Sequence, residues 1–248
     1  MLKSPAAAGV VGGVIGAALS LAAVFGAAAL GAFPTPDSRI HDYLVTHPQV
    51  LVEISNRLQA QQDANEDDGR QKSVDRLGLK PFFNPRFAFV TGAASAPTTF
   101  VEFFDYNCPY CRASLPTVKN FLAAHKNDAR VALIEFPIKG PQSTFASRAA
   151  IAARRQPDKY LAFHFLLMGE KELVTEEVVL ANARKAGLNI ERLRADMQDR
   201  SVDMAIAAAH NLAAAARVDG TPAFIVNGHA HEGALDDASL RQLLKTKT

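Results

Sequence analysis

Two cysteines make up the whole cysteine inventory of the 248-residue chain, and they stand two residues apart, as Cys108-Pro109-Tyr110-Cys111. The pair follows the apolar run Thr99-Phe100-Val101-Glu102-Phe103-Phe104 and the short polar turn Asp105-Tyr106-Asn107. That order predicts a strand, a corner and then a helix. Pro109 suits the first helical position, because the N–H that proline lacks has no partner there. Cys108 then faces unpaired backbone N–H groups and the positive end of the helix dipole, with Arg112 close by, and all three favour thiolate over thiol. A thiolate is a nucleophile. Cys111 lies one turn further on the same helix face, near enough to bridge Cys108 and better shielded from solvent. The spacing points to a redox pair in which Cys108 attacks and Cys111 resolves.

Other chemistries of a CxxC fit less well. A structural zinc site takes four ligands, yet there is no second cysteine pair, and His125, the first histidine after Cys111, has no histidine three to five residues beyond it. Covalent haem attachment requires histidine directly after the second cysteine, and position 112 is arginine. A purely structural disulfide stays open, although a bridge closing so small a loop removes little entropy from the unfolded chain.

Two further places carry candidate chemistry. Glu102 sits inside the strand that leads to the pair, with Phe100 and Phe104 on its own side and Val101 and Phe103 on the other. Either this carboxyl is desolvated, with a raised pKa that suits it to take and return the proton of Cys111, or it reaches solvent at a strand edge. Gly220-Thr221-Pro222 precedes the apolar strand Ala223-Phe224-Ile225-Val226. Pro222 is either an ordinary trans residue at a strand entry or the cis proline of a tight turn.

These segments resemble the DsbA family of thioredoxin-fold disulfide oxidoreductases. The likeness runs over about residues 85 to 247 and rests on Glu102-Phe103-Phe104-Asp105-Tyr106-Asn107-Cys108-Pro109-Tyr110-Cys111 with Gly220-Thr221-Pro222 far downstream. It implies an α/β thioredoxin-like fold, with Cys108 as nucleophile, Cys111 as resolving thiol, Glu102 as buried acid and Pro222 as cis-proline. The Thr221 backbone would then be presented to an extended substrate chain by strand addition, with Pro109 and Tyr110 beside it. The segment from Ile40-His41-Asp42-Tyr43-Leu44 through His47-Pro48 to about Lys72 is similar to the N-terminal extension of the suppressor-of-copper-sensitivity (ScsC) branch, which implies a homo-oligomer through residues 37–72. Two departures from the best-known oxidase pattern stand out. The central dipeptide is Pro-Tyr instead of Pro-His, which removes an imidazole from beside Cys108, and threonine precedes the proline.

The elements that must position these groups follow in a clear order. Ala6 to Phe33 is an uncharged stretch, longer than the roughly 20 residues that cross a bilayer as a helix. It reads as a retained anchor within residues 1–36; Ala27-Ala28-Ala29 keeps open a cleaved signal and a soluble periplasmic protein. Lys3 on the short side orients the rest for export. Residues 37–80 read as a helical stalk: a short helix to Thr46, then a second from Pro48 with Val50, Leu51, Ile54 and Leu58 on one stripe. The stripe packs either on the chain's own core or on copies of itself, and the charged stretch to Lys80 reads as a solvated helix or linker. Within the domain at 85–247, Phe87 and Phe89 start an edge strand and Val131 to Phe136 form another. A helical insertion spans about 142–218, with breaks at Pro157, Gly169 to Thr175, Gly187 to Asn189 and Arg200-Ser201. Phe224 to Gly233 is a hairpin about Asn227-Gly228, and a last helix capped by Asp236 carries Leu240, Leu243 and Leu244.

Composition is compatible with this and excludes little. The formal charge of +2 and the lack of tryptophan or any basic cluster give no nucleic-acid reading. His229 and His231 share one side of a strand, where a metal pair and inert solvent-facing rings are both open, and His164 reads as a packed side chain. No cofactor or metal is assigned. The expected function is a periplasmic thiol-disulfide oxidoreductase, oxidase or isomerase, exchanging disulfides with cysteine-containing exported proteins and recycled by a membrane redox partner. The alternative is a tethered copper-binding protein with the cysteines as ligands.

Overall fold

Seven residues, Thr98–Phe104, form the strand β2 that delivers the cysteine pair, and its last five are fully buried. Their alternation splits the core in two: Phe100 and Phe104 enter one cluster, Val101 and Phe103 the other. The structure, a computed structural model, describes residues 36–246 together with Gly26. Before β2 come helix α1 (Pro36–Thr46), helix α2 (Pro48–Leu77), a 3-10 turn (Lys80–Phe83) and strand β1 (Ala88–Thr91). Helix α3 (Pro109–Ala124) and strand β3 (Ala129–Glu135) follow it. Then come five helices, α4 (Pro141–Ala153), α5 (Pro157–Met168), α6 (Glu176–Lys185), α7 (Ile190–Met197) and α8 (Arg200–Ala215). Strands β4 (Ala223–Val226) and β5 (His229–Glu232) and helix α9 (Asp237–Lys245) complete the chain.

The sheet order is β1-β3-β2-β4-β5, with β2 and β3 parallel and every other pair antiparallel. β2 is central, so both of its edges are hydrogen-bonded and its two faces are covered. On one face lie α3, α9 and most of the helical insertion; on the other lie α8, the 3-10 turn and Val74 of α2. This is the expected thioredoxin-like α/β fold.

Local chemistry sets the boundaries. Proline occupies the first turn of α3, α4 and α5. Thr175, Asn189, Asp199 and Asp236 each accept a backbone N–H at the start of their helices. Asn227 and Gly228, at φ 49° and 87°, make the two-residue turn of the β4–β5 hairpin.

The chain divides into two compact units, residues 1–63 and 64–248. In the first, α1 and the start of α2 carry exposed Ile40, Tyr43, Val45, Leu51, Val52, Ile54 and Leu58. The charged stretch expected to be solvated up to Lys80 keeps to that reading as far as Asp68 and departs from it at Arg70. Arg70, Ser73 and Val74 are buried, because Val74 packs among the core residues of the sheet's second face and Arg70 is ion-paired to Asp67 and Glu232. The anchor expected at Ala6 to Phe33 lies outside the described residues, Gly26 excepted. Among the described residues, no helix is long and apolar enough to cross a membrane.

One ion pair is embedded in the first core. Glu135, at the end of β3, is fully buried. It contacts the Arg154 guanidinium and accepts a hydrogen bond from the Tyr160 hydroxyl at 2.9 Å. Arg154→Met strips the buried carboxylate of its counter-charge and is expected to cost about 3–5 kcal/mol in urea unfolding, whereas adding Glu135→Leu recovers most of the loss.

Candidate active site

The corner between β2 and α3 is held by Asp105, which has no exposed surface. Its carboxylate accepts from the backbone N–H of Asn107 at 2.7 Å, Ile138 at 2.7 Å and Lys139 at 2.9 Å, and from the Ser143 hydroxyl at 2.6 Å. One side chain thus ties the loop before Cys108 to the loop after β3 and to the start of α4. Asn107 continues the lattice: its carbonyl oxygen accepts from the Val174 N–H at 2.7 Å and its amide donates to Ser143 at 3.2 Å. Arg112, expected to favour the thiolate, is instead turned to oxygen acceptors. It donates to the carbonyls of Tyr106, Lys171 and Glu172 and to the Asn107 side chain. The sequence did not disclose these tasks, because the partners that link the corner to other elements lie 33 or more residues away.

Cys108 caps α3 with extended backbone, φ −84° and ψ 119°, which aims its sulfur at the first turn. Both cysteines are free thiols and both are buried. The Cys108 thiol donates to the Thr221 carbonyl oxygen at 3.0 Å. Its pKa is lowered to about 5, chiefly by a hydrogen bond from Cys111, with the Thr221 side chain and the backbone N–H groups of Cys111 and Tyr110 adding to it against the cost of burial. Cys111 is pushed far upward by desolvation, then by its bond to Cys108 and the charge of Glu102. The two sulfurs are therefore opposites: one ionises readily and its neighbour keeps its proton.

Glu102 is 3% exposed, and burial raises its pKa to about 8. Its Oε2 has no hydrogen-bond partner. The central position of β2 decides between the two earlier readings, since it leaves no strand edge to reach past. The Thr221–Pro222 bond is cis, and Thr221 is buried against Cys108 while Pro109 and Tyr110 are exposed, Tyr110 at 63%. All seven residues singled out in the sequence lie at this corner or in the strands bordering it. His164 is buried, its Nδ1 3.1 Å from the Tyr106 hydroxyl, and desolvation holds its pKa near 3, so the ring is neutral. Among the described residues, no group of three or more histidine, cysteine or acidic side chains can hold a metal ion.

Residues 87–246 match the family model described as Thioredoxin. The chain belongs to the thioredoxin family. Residues 37–65 of this thioredoxin-family chain match a second model, the copper resistance protein ScsC N-terminal domain. A solved thioredoxin-like oxidoreductase from Silicibacter pomeroyi is 39% identical, with a TM-score of 0.62, and covers 67% of this chain and 95% of its own. A probable disulfide bond formation protein D of Bacillus anthracis is 27% identical over 161 residues, 59% of this chain and 74% of that protein. A sodium/proton antiporter NhaA of Salinispora tropica is 32% identical over 146 residues, 58% of this chain but only 22% of the antiporter. The chain therefore spans less than a quarter of that relative's length.

The two shifted groups have opposite linkage to stability. Cys108, with a folded pKa of about 5 against 9.0, stabilises the reduced fold fully above pH 9 and loses that contribution as pH falls toward 5. Glu102, at about 8 against 4.5, favours the fold at low pH and loses its contribution as pH rises from 4.5 to 8. Between about pH 5 and 8 the slopes oppose each other. Glu102→Gln is expected to unmask a rise in the reduced protein's unfolding midpoint with pH across that range, and Cys108→Ser a fall.

Proposed function

We propose that this chain is a periplasmic protein thiol-disulfide oxidoreductase acting on cysteine-containing exported proteins. The observation that carries the reading is the unequal pair of sulfurs: Cys108 ionises near pH 5 while burial and Glu102 hold the proton on Cys111. The Bacillus relative named for disulfide bond formation supports it.

In this reading the Cys108 thiolate attacks one sulfur of a client disulfide. A bond forms between Cys108 and the client, the client S–S bond breaks, and the second client sulfur leaves with the electron pair. Cys111 then gives its proton to the Glu102 carboxylate and attacks the Cys108 sulfur, and the client sulfur departs as thiolate. The client is reduced by two electrons and the pair is oxidised. Run backwards, the same steps oxidise a client dithiol, with Glu102 returning the proton to Cys111 as it leaves. Thr221 and cis Pro222 present backbone to the client chain, flanked by Pro109 and Tyr110. A stabilised thiolate is a good leaving group, so the pair is poised toward giving its disulfide away, as oxidase or isomerase.

The proposed layout is a membrane anchor at 1–36, a stalk at 37–80 and a catalytic domain at 85–247 with its insertion at about 142–218. The apolar side chains exposed on α1 and early α2, and the ScsC-type match over 37–65, support self-association of the stalk. Several sites around one misfolded client favour isomerisation over net oxidation. A membrane redox partner resets the pair. Nothing among the described residues favours the copper-holding alternative.

Replacing the resolving thiol, Cys111→Ala, is expected to trap clients as Cys108-linked mixed disulfides in cells, visible as bands that collapse on reduction; an empty trap would sink the exchange reading. Light scattering on residues 37–248 is expected to give an oligomer, and removal of 37–63, which leaves the buried Arg70 and Val74 in place, is expected to give a monomer.

A further inference from the structure

The connection from α8 to the Thr221–Pro222 turn is clamped at both ends, and one residue of α2 takes part in both clamps. At its start, Arg217 adopts a left-handed backbone, φ 57°. Its carbonyl accepts from Arg70 Nε at 3.2 Å. Its own side chain lies so close over Gly69 that a Cβ there would fall 2.8 Å from its Nη1. At the other end, Glu232 of β5, the register partner of Ala223, turns its carboxylate onto Gly220. A Cβ at 220 would lie 2.3 Å from Glu232 Oε1. A side chain at 220 would have to push the Glu232 carboxylate aside. The second oxygen of Glu232 contacts the Arg70 guanidinium, whose remaining nitrogen donates to Asp67 at 2.6 Å. Arg70 is 5% exposed, so its contact with the half-buried Glu232 is little screened by solvent, whereas Asp67 is open to it. One residue beyond Gly220 stands Thr221, 3.0 Å from the Cys108 sulfur.

We infer that Arg70 and Glu232 are positioning residues that hold the Arg217–Pro222 connection in register, fixing Thr221 against the Cys108 sulfur from the root of helix α2. The inference rests on the reading of Cys108 as the ionised nucleophile. Thr221 meets the sulfur with two groups of opposite effect. Its carbonyl accepts from the thiol, a weak bond because S–H is a weak donor. Its hydroxyl is buried and makes no hydrogen bond while the sulfur is a thiol, yet the Thr221 side chain favours the ionised sulfur, to which a donated hydroxyl proton makes a stronger, charge-assisted bond. The hydroxyl therefore prevails, and slackening the connection favours the thiol. Asp219, hydrogen-bonded to Glu232, Asp67 and the Arg217 guanidinium over Gly69 are the other charged groups at the clamp. When the Glu232 charge is lost, Arg70 keeps only Asp67 and the Arg217 carbonyl as strong partners.

The test uses the full chain, reduced, with Cys108 followed by ultraviolet thiolate absorbance and by alkylation rate across pH. Glu232→Gln is expected to raise the apparent pKa of Cys108 by about half a unit, leaving about threefold less thiolate at pH values below it. Gly220→Ala, which displaces the carboxylate sterically while keeping its charge, is expected to do the same and serves if Glu232→Gln does not fold. Both effects should vanish in a Thr221→Val background. A Glu232→Gln protein that titrates like the parent, or one whose shift persists undiminished without the Thr221 hydroxyl, overturns the inference. Those outcomes leave the proposed chemistry standing. A parent Cys108 that titrates near the free-thiol value of about 8.5 overturns both together.

Discussion

The structure turns on a proton imbalance between two sulfur atoms one helical turn apart. Cys108 ends a strand and opens a helix, so it gathers donors: the thiol of Cys111, the Thr221 side chain and the first backbone N–H groups of α3. Cys111 sits inside that helix with desolvation and a carboxylate working against its ionisation. The same few ångströms of burial serve both ends, since a sulfur that is covered yet well supplied with donors ionises, and one that is covered without them does not. Everything that fixes the corner fixes this imbalance. Asp105 does so through four accepted hydrogen bonds, and β2 does so through its place in the middle of the sheet.

A good deal of this was readable from the chain. The Cys-Pro-Tyr-Cys run after a strand and a polar turn carries its own geometry, because proline at the first helical position and the local N–H groups act within four residues. The hairpin was equally legible, since Asn227-Gly228 is a residue pair that tolerates the positive φ such a turn demands. The break at Pro157 opens helix α5, and those at Gly169 to Thr175 and Gly187 to Asn189 fall between the observed helices α5, α6 and α7, because proline, glycine and capping side chains start and stop helices through their own backbone chemistry. The burial of Glu102 was half legible. Its apolar neighbours on both faces signalled a covered strand, and only the sheet order removed the possibility of an edge.

What stayed hidden is long-range. Asp105 looks like a turn aspartate, and its task of gathering Ile138, Lys139 and Ser143 appears only when those residues arrive from the far side of β3. Arg112 looked like a charge supplied to the sulfur, but the 171–172 carbonyls compete for it and win. The charged end of α2 read as solvated because composition reports average hydration. It cannot report that Arg70 finds two acidic partners and a carbonyl, or that Val74 finds the aromatic residues of the sheet's second face.

The close approach of Glu232 to Gly220 also bears on how related chains should be compared. A side chain at 220 and a long acid at 232 compete for the same space, so the two positions depend on each other although a turn and two strands separate them. A relative with a short residue at 232 is free to carry a methyl or more at 220. A relative that keeps the acid without the glycine must route its carboxylate elsewhere. Read singly, either position hides this dependence, because what matters sterically is the volume the two side chains share.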